Sequence, residues 1–81
     1  MNELDLEYAP ANVELQVLRI NAGRIAARRL MAMGVRSEDK IIKLNDSSWG
    51  PVLVKNVTLN STKIAIGRRL AHKILVRYEE T

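Results

Sequence analysis

Hydrophobic and polar positions change period several times along this chain, and each change marks an element. Residues 2 to 8 alternate, with Leu4, Leu6 and Tyr8 on one parity and Glu3, Asp5 and Glu7 on the other, until Pro10 stops the run. This predicts a short edge segment packed on one side. Val13, Leu15 and Val17 alternate with Glu14 and Gln16, but the apolar parity then passes to Leu18 and Ile20. One extra residue in a strand moves every following side chain to the other face, so the switch predicts a bulge or strong bend.

From Arg24 to Met33 the period becomes helical, with Gly23 before the segment and Gly34 placed to end it in a left-handed conformation. On a helical projection Ala22, Ile25, Ala26, Leu30 and Met33 share one stripe, while Arg24, Ala27, Arg28 and Met31 face away. Arg29 projects from the apolar stripe, so its stem is expected to pack and its guanidinium to cap carbonyls of a neighbouring loop. Beyond a polar turn at Ser37 to Asp39 come four short runs rich in Val and Ile: Ile41 to Leu44, Val52 to Val57, Ile64 to Ile66 and Ile74 to Tyr78. Asn45 to Pro51 reads as a loop and Asn60-Ser61 as a tight turn.

The fold class that follows is mainly β: a small SH3-like antiparallel barrel of about five strands, with one inserted α-helix at about 24–33 and a short helical turn near 68–71. With 81 residues there is room for one core, so residues 1–81 are expected to form one domain, residues 1–12 being its N-terminal edge segment.

Composition then narrows the chemistry. The absence of cysteine excludes disulfides, thiolate catalysis and cysteine-based metal sites. No apolar run approaches the roughly 18–20 residues of a bilayer span, and the N-terminus is acidic where a secretory signal is basic, so a soluble, cytoplasmic chain is expected. The net charge of +4 is unevenly spread, because three acids and no base precede residue 13 and 13 bases face six acids after it. A surface of that kind favours acidic partners. Catalysis fails on inventory: His72 is the only imidazole, no nucleophile-base-orienter set can be built around it, and the acids collect at the chain ends. The stretch Asn21-Ala22-Gly23-Arg24 lacks the lysine and spacing of a phosphate loop. The chain is therefore read as a non-enzyme without cofactor.

Three segments in order carry a resemblance. They are Arg29-Leu30-xx-Met33-Gly34-Val35, Gly50-Pro51, and Ala65-Ile66-Gly67-xxx-Ala71-xx-Ile74-x-Val76. Together, over roughly residues 13 to 78, they resemble the FeoA family of bacterial ferrous-iron transport proteins. In the last segment Ala65 and Ile66 end a strand, Gly67 allows a sharp turn, and Leu70 and Ala71 plug one helical turn into the barrel end. Two turns depart from the family pattern: Ser37 and Glu38 stand where Pro and Gly are frequent, and Pro10-Ala11-Asn12 replaces a Pro-Gly. Asn12 adopts positive φ readily and Glu38 does not, so the turn at Glu38 is expected to differ in shape. The resemblance implies an accessory protein of ferrous-iron uptake that docks on the cytosolic G-protein domain region of the ferrous-iron permease, with membrane contact only through that partner. Transition-metal binding is a looser implication of the same resemblance.

Metal ligation by the residues themselves is not predicted. Met31, Met33, His72 and the Glu3, Asp5, Glu7 row are the available ligands, but one histidine without a neighbouring carboxylate is a poor start for ferrous iron. His72 is accordingly read as a solvated bystander. Nucleic acid is the rival partner: the basic surface would give salt-sensitive affinity for phosphate, yet one helix of useful length, one Trp, two Tyr and no Phe leave little for groove readout or base stacking. The same scarcity of aromatics disfavours capture of proline-rich peptides. A metal-regulated SH3-like module is the remaining alternative. For docking, the candidates are Arg24, Arg28 and Met31 on the outer helix face, Trp49 in its polar loop, and Arg68, Arg69 and Lys73 on the late turn. Trp49 has a competing role as a lid folded over the end of the barrel.

Overall fold

The computed structural model describes residues 2–79. Six strands run in chain order: β1 (Asn2–Asp5), β2 (Glu14–Ile20), β3 (Lys40–Lys43), β4 (Val52–Asn56), β5 (Lys63–Ile66) and β6 (Ile74–Tyr78). A 3-10 turn covers Leu6–Tyr8, α1 covers Arg24–Met33, and a single helical turn, α2, covers Arg68–Ala71. All pairings are antiparallel, in the order β1-β6-β2-β3-β4-β5. The architecture is the predicted SH3-like one, with six strands instead of about five because the N-terminal edge segment is itself paired to β6 from Asn2↔Tyr78 to Asp5↔Leu75.

The parity switch in β2 has the predicted cause. The register against β6 shifts between Val17 and Arg19, so Val17 opposes Val76 while Arg19 opposes Leu75. Leu15 and Val17, before the shift, are fully buried with Ile41, Val52, Val54, Ile66, Ile74 and Val76, and these side chains form the core. Leu6, from the 3-10 turn, and Leu30, from α1, close its ends. Alternation at the N-terminus breaks where the turn begins, which buries Leu6 but leaves Tyr8 exposed instead of packed. Val13 also lies outside the core, ahead of the strand.

Helix α1 has the predicted bounds, and Gly34 ends it at φ 99°, its N–H reaching the carbonyls of Leu30 and Met31. Its packing is narrower than the apolar stripe implied. Leu30 is buried and Met33 packs at the edge of the core, but Ile25 is 78% exposed, so the deepest packing of the helix lies in its C-terminal half. Arg29 is exposed as well, with no hydrogen bond or ion pair among the described residues, so it caps no loop. Gly67 also differs from expectation: its φ of −57° is open to any residue, and a Cβ there would meet nothing within 4 Å. The turn at Glu38 nevertheless adopts the left-handed form, φ 73°, as Asn12 does at 65°. Its N–H donates to the Val17 carbonyl at 2.6 Å and the next residue's carbonyl accepts from Val17 N–H at 2.9 Å, so pairing with β2 holds the conformation.

Candidate functional site

The late turn sits where three parts of the chain meet. Ala71 is fully buried and Leu70 packs against the core, which fixes α2 at the barrel end and leaves Arg69, His72 and Lys73 outside. Two contacts join this turn to the other candidate segments. The Asn21 N–H donates to the Lys73 carbonyl at 2.7 Å, placing the approach to α1 beside it. On the other side the Arg68 guanidinium donates to the carbonyls of Ser47 and Trp49.

Arg68 is thus not the free exposed cation that its sequence position implied. It is partly buried, and its Nε is buried without a partner among the described residues. Its two carbonyl contacts tie the 45–51 loop to α2, supported inside the loop by Asn45, whose Nδ2 donates to the Ser47 hydroxyl and the Pro51 carbonyl. Held in this way the loop does not fold over the barrel: Trp49 is 79% exposed, so the lid role is excluded. Met31 is 57% exposed, and Arg24 and Arg28 are exposed one helical turn apart on α1.

The histidine has company that the sequence did not reveal. His72 Nδ1 lies 3.0 Å from Asp5 Oδ2 and 3.5 Å from Glu7 Oε1. One donor atom from each of the three residues lies within 4.8 Å of the others. The predicted row of three carboxylates does not form: the strand gives way to the 3-10 turn after Asp5, which brings Glu7 round to His72 and leaves Glu3 opposite Arg77 on the edge strand. Asp5 also caps the turn, its Oδ1 accepting from Tyr8 N–H at 3.3 Å. The Tyr8 and His72 rings meet edge-on at 6.5 Å between centroids.

Lys43 fixes this N-terminal segment from inside. It is 3% exposed, and its Nζ donates to the carbonyls of Glu7 (2.8 Å) and Ala9 (2.9 Å). Burial holds the ammonium below the usual lysine pKa, and the nearby Arg68 charge acts in the same direction. A second buried polar group braces the turn after α1. Asp39 receives a bidentate contact from Arg36 (2.8 and 3.3 Å) and a bond from Asn56 Nδ2 (2.9 Å), whose other donor contact is the Gly34 carbonyl. The Arg36 hydrogen bonds hold the Asp39 carboxyl below its ordinary pKa, against the opposing effect of burial.

A profile for the FeoA domain matches residues 5–78. The chain belongs to the FeoA family. It is 36% identical over 75 residues to a Methanocaldococcus jannaschii protein bearing the name Fe(2+) transport protein A, covering 93% of this chain and 87% of the relative. Among solved structures, an iron uptake regulatory protein (FeoA) superposes with a TM-score of 0.79 at 26% identity, covering 95% of this chain and 97% of the other. A manganese-dependent transcriptional repressor superposes at 0.81 over 95% of this chain but only 42% of its own, at 18% identity, and shares the fold alone. In this chain the residues of the three motifs have structural places: Gly34 closes α1, Pro51 ends the loop before β4, and Ala71 and Ile74 lie in the core.

Proposed function

We propose that this chain is a non-catalytic accessory protein of ferrous-iron uptake, working at the cytoplasmic face by docking on the G-protein domain region of the ferrous-iron permease. Family membership supports the role in iron transport. The observation that supports docking is Trp49, an indole 79% exposed in a loop whose carbonyls are held by Arg68. An exposed aromatic on a braced loop loses little freedom on binding and suits the centre of a protein interface. Arg68 joins that loop to the late turn, which carries the exposed Arg69 and Lys73, and the Asn21 N–H bonded to the Lys73 carbonyl leads into α1, where Arg24, Arg28 and Met31 are exposed. An acidic, partly apolar face on the partner complements that composition.

The test is an affinity measurement between the chain and the permease's isolated cytosolic domain. Trp49→Ala is expected to weaken binding by about 2 kcal/mol, roughly thirtyfold, and the pair Arg69→Glu, Lys73→Glu to slow association and remove most of its salt dependence. Unchanged affinity in both variants would overturn the docking surface. Tight, salt-sensitive binding to duplex DNA with none to the domain would favour the nucleic-acid reading instead.

A further inference from the structure

We propose that Asp5, Glu7 and His72 bind one first-row divalent transition cation, closing the N-terminal segment against the late helical turn. Among the described residues these are the three side chains whose histidine and carboxylate donor atoms converge closely enough to share an ion. With metal–ligand bonds of about 2.0–2.2 Å, neighbouring ligands around a metal stand roughly 3.0 Å apart in an octahedron and roughly 3.4 Å apart in a tetrahedron. The separations from His72 Nδ1, 3.0 Å to Asp5 and 3.5 Å to Glu7, are close to that span, so small side-chain adjustments bring all three onto one ion.

The two carboxylates are held before any ion arrives. The Tyr8 N–H occupies Asp5 Oδ1 and leaves Oδ2 toward the histidine. Lys43 grips the Glu7 carbonyl from the barrel interior, so the backbone carrying that carboxylate is anchored. Supporting contacts of this kind orient ligands and reduce what binding must organise. The Asp5 and Glu7 side chains are 20% and 22% exposed, whereas that of His72 is 61% exposed, so solvent or further ligands reach the remaining coordination positions from one side.

Ligand chemistry selects the ion class. An imidazole with two carboxylates suits Mn²⁺, Fe²⁺, Co²⁺ and Zn²⁺ and offers Mg²⁺ and Ca²⁺ too few oxygens. Arg68, Arg69 and Lys73 line the same shallow depression as Glu7 and His72, and their charge opposes cations held by electrostatics alone. Coordination through nitrogen is what overcomes that field. Ligation requires the proton of the neutral imidazole to sit on Nε2, leaving Nδ1 free.

The site adjoins the docking cations Arg69 and Lys73 but needs no docking partner, and it is tested on the isolated chain. Titration of labelled protein with Mn²⁺ at pH 7.5 should broaden amide signals most strongly at residues 4–8 and 70–73 and at the paired Leu75 and Val76, and calorimetry with Zn²⁺ should give one saturable site. His72→Ala and Asp5→Asn should each weaken binding at least about tenfold, the loss seen when even an outer partner of a metal ligand is removed. Both variants retain the fold, since the His72 side chain is largely in water and Asn caps a turn as Asp does. Competition by Mg²⁺ should require far higher concentration. Absence of saturable binding, broadening centred on other residues, equal affinity in His72→Ala, or equal affinity for Mg²⁺ would each overturn the proposal.

Discussion

Glu38 occupies a backbone conformation that its side chain disfavours, at φ 73°, because two hydrogen bonds with Val17 fix the turn. Left-handed geometry costs a non-glycine residue roughly 1–2 kcal/mol, part of which glycine returns as extra chain entropy. Glu38→Gly should therefore stabilise the protein by about 0.5–1 kcal/mol in chemical denaturation; a loss of stability would contradict the account. Asp39, one residue on, sets an acid limit. Its folded pKa lies below the ordinary 3.8, so its contribution is fully present above that value and is lost as pH falls through the lowered folded value. Asp39→Asn should flatten the decline in stability below about pH 4, at the expense of stability at neutral pH. These residues mark what the sequence concealed. Glu38 looked unsuited to its turn because its pairing partner lies 21 positions back. His72 looked solitary because Asp5 and Glu7 are 67 and 65 positions away. Lys43 did leave a signal: it shares the inward parity of Ile41 in an apolar run, which marks a buried amine in need of acceptors.

At the scale of elements, periodicity located the strands and α1 closely, and even the β2 bulge was legible as a change of parity. It failed on how much of a helix is buried. A stripe from Ile25 to Met33 states which residues share a face, while the depth of contact depends on where the barrel surface meets that face. Leu30→Ala should cost about 2–5 kcal/mol, whereas Ile25→Ala should cost less than about 0.5 kcal/mol, measured by denaturant unfolding. Comparable losses would restore the wider stripe. The N-terminal segment, paired to β6 and anchored by Leu6, is held from inside by one buried amine as well. Lys43→Met removes the donor to two carbonyls and should speed amide exchange across residues 2–9 more than elsewhere.

Over the whole molecule, the fold separates its tasks. One sheet supplies most of the core, and the surface around α2 gathers what the core does not use: a braced loop carrying Trp49, the cations Arg69 and Lys73, and the Asp5, Glu7 and His72 cluster. Among the described residues no helix is long and apolar enough to cross a membrane. Three short motifs in order, on a chain of fitting length, made the family legible. The identity of the working surface was not, because Arg68 was indistinguishable from its free neighbours until its carbonyl partners were seen. The proposed contact with the permease uses the exposed positions of α1, α2 and the Trp49 loop. Titration of isotopically labelled chain with the permease's cytosolic domain tests it residue by residue. Shifted or broadened signals are expected at Arg24, Arg28, Met31, Trp49, Arg69 and Lys73, including the Trp49 indole N–H; perturbations confined to β3, β4 and β5, or none at saturating domain, would rule this docking surface out.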